Sequence, residues 1–474
     1  MIIMNLVKKF IDYATGNIIS LLISLITTPI ITRLYLPEEM GKYSLFLSIM
    51  GLVMTVAGLG TEQAYSRFYY EEKEENRTQL WYICCGIPVF FFLALAFISI
   101  AFWQEITEYI AGETSTVLFA FIVAYGIAYI CSRFGMYLIR MQQKAKLFSL
   151  CNIVIKIFYV VIAILLAKVF KPSYLMLVIS ISISYFVVTI LSVISERDKL
   201  RIVDKSYRLD NKISSIVRYS VPFIFSQIIF WAFGATDKIM IRQFSTYEQL
   251  GIYAGAMSLV NIIVTVQNAF MTFWTPVAYE RYKNNPEDKK FFEDINAIVT
   301  VVMVIASIVV VLFKGVFSIL LGRSYADSID VLPFLIFMPI MATISETTVM
   351  GINFGKKSEW HIVVSLFSAL VNITLNFYLI RLWGAKGAAI ATGISYCFYY
   401  YLRTIVANRF YRCNFRMFRT SIVILFTYAT AGYASFSKTN LITVVLALLT
   451  FVVLAVSYGG IIKDIVVTRL RERK

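Results

Sequence analysis

Among the charged residues that fall inside or at the ends of long apolar runs, where a charge is costly, eight are candidates for chemistry: Glu62, Asp237 and Glu346 among the acids, and Arg33, Arg133, Lys156, Lys238 and Arg242 among the bases. A charged side chain at mid-membrane costs at least about 2.5 kcal/mol on insertion scales, so such groups face a partner or a wet cavity. The three carboxyls could bind a proton or a sodium ion, since removal from water disfavours the bare anion. The alternative is a structural pair with a base on a neighbouring span. The five bases could lend hydrogen bonds to an anionic cargo and then release them. Arg33 and Arg242 lie near run ends, where snorkelling to the headgroups is the competing reading. Lys156 lies deeper, as does Arg133. Asp237 and Lys238 are adjacent, so on a helix they point about 100° apart and do not form a same-face pair.

Other chemistry-bearing residues fit plainer roles. The single histidine, His361, begins an apolar run beside Glu359 and Trp360, which places it at an interface. Cys84, Cys85, Cys131, Cys151, Cys397 and Cys413 have neither a secreted-scaffold pairing pattern nor zinc spacing and read as apolar packing. Gly351-Ile352-Asn353-Phe354-Gly355-Lys356-Lys357 resembles a phosphate loop but is one spacer short and lacks the Ser or Thr that would hold magnesium. It reads as a helix end. No cofactor is expected beyond possible coupling to H+ or Na+. Aromatic residues make up 16% of the chain, enough to stack on sugar faces. Trp81, Trp103, Trp274 and Trp383 near run ends nevertheless fit a membrane-interface belt. Gly251/Gly255 and Gly351/Gly355 have the spacing that lets helices approach closely.

The elements that position these residues are transmembrane helices. The chain has 474 residues, 59% hydrophobic and only 15% charged, with a mean hydropathy of +0.75. Apolar runs of about 20 residues match a hydrocarbon core of roughly 30 Å and lack the alternation of barrel strands. Spans are expected at about 13–33, 43–64, 81–103, 115–138, 148–168, 174–195, 218–241, 250–275, 295–321, 330–352, 360–380, 385–407, 417–436 and 441–462. The first is expected to be retained, since no cleavage pattern follows Lys8 and Lys9.

A net charge of +16 is no nucleic-acid signal here, because the basic residues are scattered between apolar runs. Counted by loop, roughly 31 Lys and Arg fall on one side and roughly 10 on the other. The segment with Arg197, Lys199, Arg201, Lys205, Arg208 and Lys212 contrasts with Gln104 to Glu113, which has no basic residue. Both termini are therefore expected in the cytoplasm.

Glu38-Glu39-Met40-Gly41-Lys42-Tyr43 returns as Glu248-Gln249-Leu250-Gly251-Ile252-Tyr253, and Ile183-Ser184-Tyr185 as Ile394-Ser395-Tyr396. These recurrences predict two six-helix lobes as a parallel repeat, residues 1–208 and 209–414, with a site between them. Residues 415–474 would add a helix pair and a basic cytoplasmic tail.

Thr28-Pro29-Ile30-Ile31-Thr32-Arg33-Leu34-Tyr35-Leu36-Pro37-Glu38-Glu39-Met40-Gly41-Lys42-Tyr43 resembles the Arg-Leu-x-Pro-Glu-x-x-Gly-x-Tyr pattern of the polysaccharide transport family, within the multidrug/oligosaccharidyl-lipid/polysaccharide (MOP) exporter superfamily. The segment Gly58 to Tyr70, Asp237-Lys238-Ile239-Met240-Ile241 with lysine where arginine is commoner, and Asn376 followed by Gly384 to Thr392 extend the resemblance along the chain. It implies a V-shaped MOP fold with about 14 helices and alternating access. It implies a flippase in a bacterial cytoplasmic membrane, moving undecaprenyl-diphosphate-linked oligosaccharide for O-antigen, capsule or exopolysaccharide and coupled to an ion gradient. A lipid II flippase or a cation-coupled multidrug antiporter of the same superfamily is the alternative. Implied partners are the lipid-linked cargo, membrane lipids, a polymerase and glycosyltransferases. The short outer loops and lack of a catalytic acidic cluster argue against an enzyme.

Overall fold

Apolar runs in a bilayer become helices because every backbone N–H and C=O must find a partner within its own segment. The computed structural model describes residues 22–200 and 213–472, and all regular structure among them is helical. Ten of the helices are long and apolar enough to cross a membrane. The protein is an all-α, multi-pass integral membrane protein.

The chain divides into two compact units, Met1–Ala232 and Phe233–Lys474. The first begins with α1 (Leu22–Leu34), followed by α2 (Pro37–Gly58), α3 (Thr61–Phe68), α4 (Arg77–Ser99), α5 (Trp103–Ala111), α6 (Thr116–Met141), α7 (Ala145–Val169), α8 (Tyr174–Ser195) and a single turn, α9 (Arg197–Leu200). Helix α10 (Ile213–Phe244) contains the boundary between the units. The second unit continues with α11 (Tyr247–Asn284), α12 (Lys289–Leu312), the short α13 (Lys314–Phe317), α14 (Ser328–Leu335), α15 (Phe337–Thr348), α16 (Met350–Phe354), α17 (Glu359–Phe410), α18 (Met417–Phe436) and α19 (Leu441–Glu472).

Local chemistry sets several ends. Pro37 opens α2, where its missing N–H costs nothing. Ser115, Thr246 and Asp288 accept hydrogen bonds from the first-turn N–H groups of α6, α11 and α12. The break between α2 and α3 uses left-handed conformations at Leu59 and Gly60. Residues 351–357 do form a helix end: α16 stops at Phe354, and Lys356 turns left-handed. A Cβ on Gly351 would lie 2.1 Å from Ala407 O, so this glycine permits close packing of α16 on α17.

In the first unit, Phe46, Tyr65, Leu80, Trp81, Phe134 and Leu177 form the core. In the second, Trp274, Phe292, Val349, Ile352 and Ala407 do so. The α18–α19 pair packs on α12 through Val304, Val423, Leu454 and Tyr458, and is tied by the Thr420–Tyr458 and Thr430–Thr450 hydroxyl pairs at 2.7 and 2.8 Å. The exposed sides are apolar: Phe90, Phe97, Phe418 and Val456 are each at least three-quarters exposed, as expected of lipid-facing positions.

The 52-residue α17 is two helices meeting at Gly384, where φ is 53° and ψ is −125°. Gln249 Oε1 accepts the Ala385 N–H at 3.0 Å, and a Cβ on Gly384 would sit 2.5 Å from that oxygen. Only glycine fits this backbone. Gly384→Ala is expected to cost about 1–3 kcal/mol, read as a lowered Tm of the purified protein; an unchanged Tm would show that the turn tolerates a side chain.

Candidate functional site

A polar constellation within the second unit is built around Asp237, only 5% exposed near the end of α10. Asn376 Nδ2 donates to Oδ1 at 2.6 Å, while the hydroxyls of Tyr253 and Thr392 both donate to Oδ2 at 2.5 Å. Four helical segments supply the cluster: α10, the start of α11, and both halves of α17. The Gly384 turn brings Asn376 and Thr392 together on the same carboxylate. Asn372, one turn before Asn376, accepts from the same amide nitrogen at 2.9 Å, which fixes its orientation. Asn376 Oδ1 is buried without a hydrogen-bond partner.

Each donor to Asp237 is neutral. Lys238 is half-buried and makes no hydrogen bond or ion pair among the described residues; it reaches Asp237 only through longer-range electrostatics. A buried carboxylate held by neutral donors, two hydroxyls and one amide N–H, keeps an uncompensated charge that a proton or a small hard cation would neutralise.

The other two acids have guanidinium partners. Glu62, on α3, is gripped by Arg133 of α6: Nε to Oε1 at 2.9 Å and Nη2 to Oε2 at 3.1 Å. Tyr137 OH donates to the same carboxylate at 2.9 Å. Glu346, on α15, pairs with Arg403 of α17 at 2.6 Å, and Ser345 Oγ accepts from the same guanidinium nitrogen at 3.3 Å. Trp274 Nε1 donates to the Glu346 carbonyl at 3.1 Å, anchoring the backbone. Arg403 Nε is buried without a partner. His361 lies one helix end away, hydrogen-bonded to Asn353 at 2.9 Å.

The remaining bases are dispersed. Lys156 is half-buried in α7, its Nζ donating to Ser24 Oγ of α1 at 2.8 Å. Arg33 is exposed at the end of α1, its guanidinium donating to Pro29 O at 3.2 Å. Arg242 rests 4.3 Å above the Tyr247 ring. Arg133 is the base with both a paired carboxylate and open surface, its side chain 46% exposed.

Beside Arg133 runs a ribbon of tyrosines: Tyr129 and Tyr185 at 5.2 Å, Tyr125 packed against both, and Tyr43 stacked on Tyr159 at 6.0 Å. The repeat motifs meet here. Tyr43 and Tyr185 are electrostatic neighbours in the first unit, as Tyr253 and Tyr396 are in the second. Ser184 and Ser395, just before the later tyrosines, both bond the carbonyl four residues back, at 2.6 and 2.7 Å. The repeat positions differ at the centre. Where the second unit has Asp237, the equivalent 210 residues earlier is Thr27, which bonds its own helix at Ser24 O. All six cysteines are free. Cys413, in the link between α17 and α18, has its thiol pushed up to about 12 by burial.

This fold is shared with membrane transporters of the MOP superfamily. Residues 6–280, more than half the chain, match the polysaccharide biosynthesis protein family, and the chain belongs to that family. Among solved structures it is similar to the lipid II flippase MurJ in an inward closed conformation: TM-score 0.65, 13% identity, 95% of this chain and 100% of that one. It is also similar to an inward-facing multidrug resistance MATE family transporter of the MOP superfamily: TM-score 0.63, 13% identity, 84% and 97% covered. A third is the MATE multidrug transporter DinF-BH: TM-score 0.56, 16% identity, 84% and 94% covered. At these identities the likeness is one of fold. No curated protein sequence matches the chain.

Sequence reasoning does not single out Tyr253, Asn372, Thr392, Arg403 or Tyr137 for a role. A signal for Asn372 and Asn376 exists: two amides one turn apart inside an otherwise apolar run.

Proposed function

We propose that this protein is a flippase for lipid-linked oligosaccharide, carrying an undecaprenyl-diphosphate-linked repeat unit across a bacterial cytoplasmic membrane by alternating access. A cation, H+ or Na+, bound at Asp237 drives the cycle. The observation that carries the reading is the Asp237 cluster, in which binding a cation would neutralise a buried carboxylate whose donors are all neutral. Glu62 and Glu346, already neutralised by Arg133 and Arg403, are assigned structural and gating parts.

Counting α1, α10 and α18 as spans and dividing α17 at Gly384 gives fourteen crossings, so both termini share one side, assigned to the cytoplasm by the lysine and arginine distribution. The six-helix lobes and the terminal pair, α18 and α19, follow from the same count. Arg133, Lys156, Arg33, Lys238 and Arg242 supply cationic contacts to the diphosphate and acidic sugars. A polymerase and glycosyltransferases would work on either side of this step.

The test is purified protein in liposomes with labelled polyprenyl-diphosphate oligosaccharide, following protection from an external enzyme with and without an imposed ion gradient. Gradient-stimulated movement is expected. No movement of such lipids alongside efflux of small cationic drugs would turn the assignment to an antiporter, and preference for lipid II would turn it to the murein precursor. In the same assay Lys156→Ala should slow movement about tenfold, the worth of one charge-assisted hydrogen bond; an unchanged rate would remove Lys156 from the path.

A further inference from the structure

Four polar residues recur at helical spacing along the second half of α17: Thr392, Tyr396, Tyr399 and Arg403. At 100° per residue they fall within about 60° of one another, on a single face of the helix. Thr392 bonds the buried Asp237 carboxylate at 2.5 Å. Tyr396 follows one turn on and is an electrostatic neighbour of both Asp237 and Tyr399. Its ring centre lies 6.0 Å from that of Tyr399. The Arg403 guanidinium is 5.2 Å from the Tyr399 ring and grips Glu346 at 2.6 Å. His361, hydrogen-bonded to Asn353, feels both charges of that pair. Thr392 is buried, whereas Tyr396, Tyr399 and Glu346 are half-buried. At 1.5 Å per residue the stripe runs about 16 Å, about half the thickness of the hydrocarbon core.

The fold does not demand these residues. The repeat sets Ile183 against Ile394, so the equivalents of the stripe in α8 are Ile181, Tyr185, Val188 and Ser192. Glu346 corresponds in the same way to Gly135, and a Cβ on Gly135 would lie 2.1 Å from Ser192 Oγ. The first unit thus closes its α6–α8 crossing with glycine against serine, where the second closes α15–α17 with a carboxylate against a guanidinium. Withdrawing a charged pair from water costs several kcal/mol per ion. Intramembrane groups kept at such a cost mark ion routes and proton relays, and the unit that keeps them is the one with Asp237.

We propose that this stripe is a proton relay between Asp237 and the Glu346–His361 end of the second unit. The relay rests on the reading of Asp237 as the coupling site and makes H+ the coupling ion. A hydroxyl is both donor and acceptor, so each can take a proton on its oxygen while passing its own to the next group. Water at the half-buried tyrosines completes the hydrogen bonds between successive turns. Glu346, as a carboxylate, accepts the proton arriving from Tyr399 and yields it to water beyond. The net transfer is one proton from the Asp237 carboxylic acid, which leaves the carboxylate that the next proton neutralises. Single hydroxyls one turn apart can pass a proton, whereas a hard metal cation needs several oxygens converging at each stop. Under the orientation proposed above, the Glu346–His361 end is the cytoplasmic one.

The experiment is a pH jump on the full chain in detergent, followed by time-resolved infrared absorption of the Asp237 carboxyl, whose C=O band is assigned by its loss in Asp237→Asn. No cargo is needed. In wild type the band should rise as the pH falls. Tyr396→Phe combined with Tyr399→Phe removes two hydroxyls and keeps both rings. It should slow the rise about a hundredfold, the lower end of what a side chain positioned for proton transfer contributes, at an unchanged pH midpoint and Tm. Each single change keeps the measurement readable should the pair fail to fold. An unchanged rate would overturn the relay, and so would slowing that merely follows a shifted midpoint or a lowered Tm, which a packing role would produce. A carboxyl that answers to sodium and not to pH would overturn the relay while leaving the flippase reading intact. The expected slowing in a protein that moves no lipid-linked oligosaccharide would uphold the relay and remove the flippase reading.

Discussion

Asp237→Asn should leave a folded protein whose transport no longer responds to the ion gradient. The substitution preserves shape. Its amide oxygen can still accept from Asn376, and the Tyr253 and Thr392 hydroxyls can rotate to accept from the new NH2. What disappears is the charge that a cation would neutralise. With that charge gone the gradient has nothing at the site to act on, so gradient-stimulated flipping should fall to its gradient-free rate. By reciprocity, cargo should cease to alter cation affinity. The check is the liposome assay run with a proton gradient, with a sodium gradient and with neither. Undiminished stimulation in the variant would take the coupling role from Asp237.

The asymmetry between the units sharpens that expectation. The repeat places Tyr43 and Tyr253 at equivalent sites, with Tyr185 and Tyr396 beside them, but of the two it is Tyr253 that donates to a carboxylate, that of Asp237. In the first unit the corresponding space has Tyr125 and Tyr159 for company, and the nearby charge is the Arg133–Glu62 pair. The proposed cation site thus belongs to the second unit, while the first has an exposed guanidinium beside its tyrosine ribbon.

Much of this was legible in the sequence, for identifiable reasons. Helices and their approximate ends follow from apolar length alone, because the bilayer leaves the backbone no other solution. Costly intramembrane charges were visible for the same reason, and so was the divergence of Asp237 and Lys238, a matter of 100° per residue. Partners were harder. Arg403 lies 57 positions from Glu346 and Arg133 lies 71 from Glu62, and no local pattern announces which base meets which acid. The role of Asn376 depended on the Gly384 turn, which folds the two halves of α17 onto one carboxylate. The sequence repeat puts the domain boundary at 208, whereas the compact units divide at 232, inside α10, where the first half of that helix packs with the preceding spans through Tyr219 on Phe68 and Trp231 on Ser48.

Glu346→Ala carries the largest expected loss of stability. The pair is largely withdrawn from the surface, with side-chain exposures of 15% for Glu346 and 8% for Arg403. Removing the carboxylate would strand a guanidinium whose Nε already lacks a partner, leaving Ser345 Oγ and the face of Tyr399, 5.2 Å away, as its company. Breaking a buried pair from one side costs about 3–5 kcal/mol, because an uncompensated charge remains where water cannot reach it. The same reasoning fixes the control. Replacing both partners, Glu346→Leu with Arg403→Met, removes the charge along with its counter-charge and should restore most of the loss, since apolar groups of similar volume substitute well for a buried pair. Thermal unfolding of the two proteins in detergent makes the comparison. A double variant as unstable as Glu346→Ala would mean that the site needs its polar groups for more than mutual neutralisation; recovery of stability without recovery of flipping would place the pair in the transport cycle as well as in the fold.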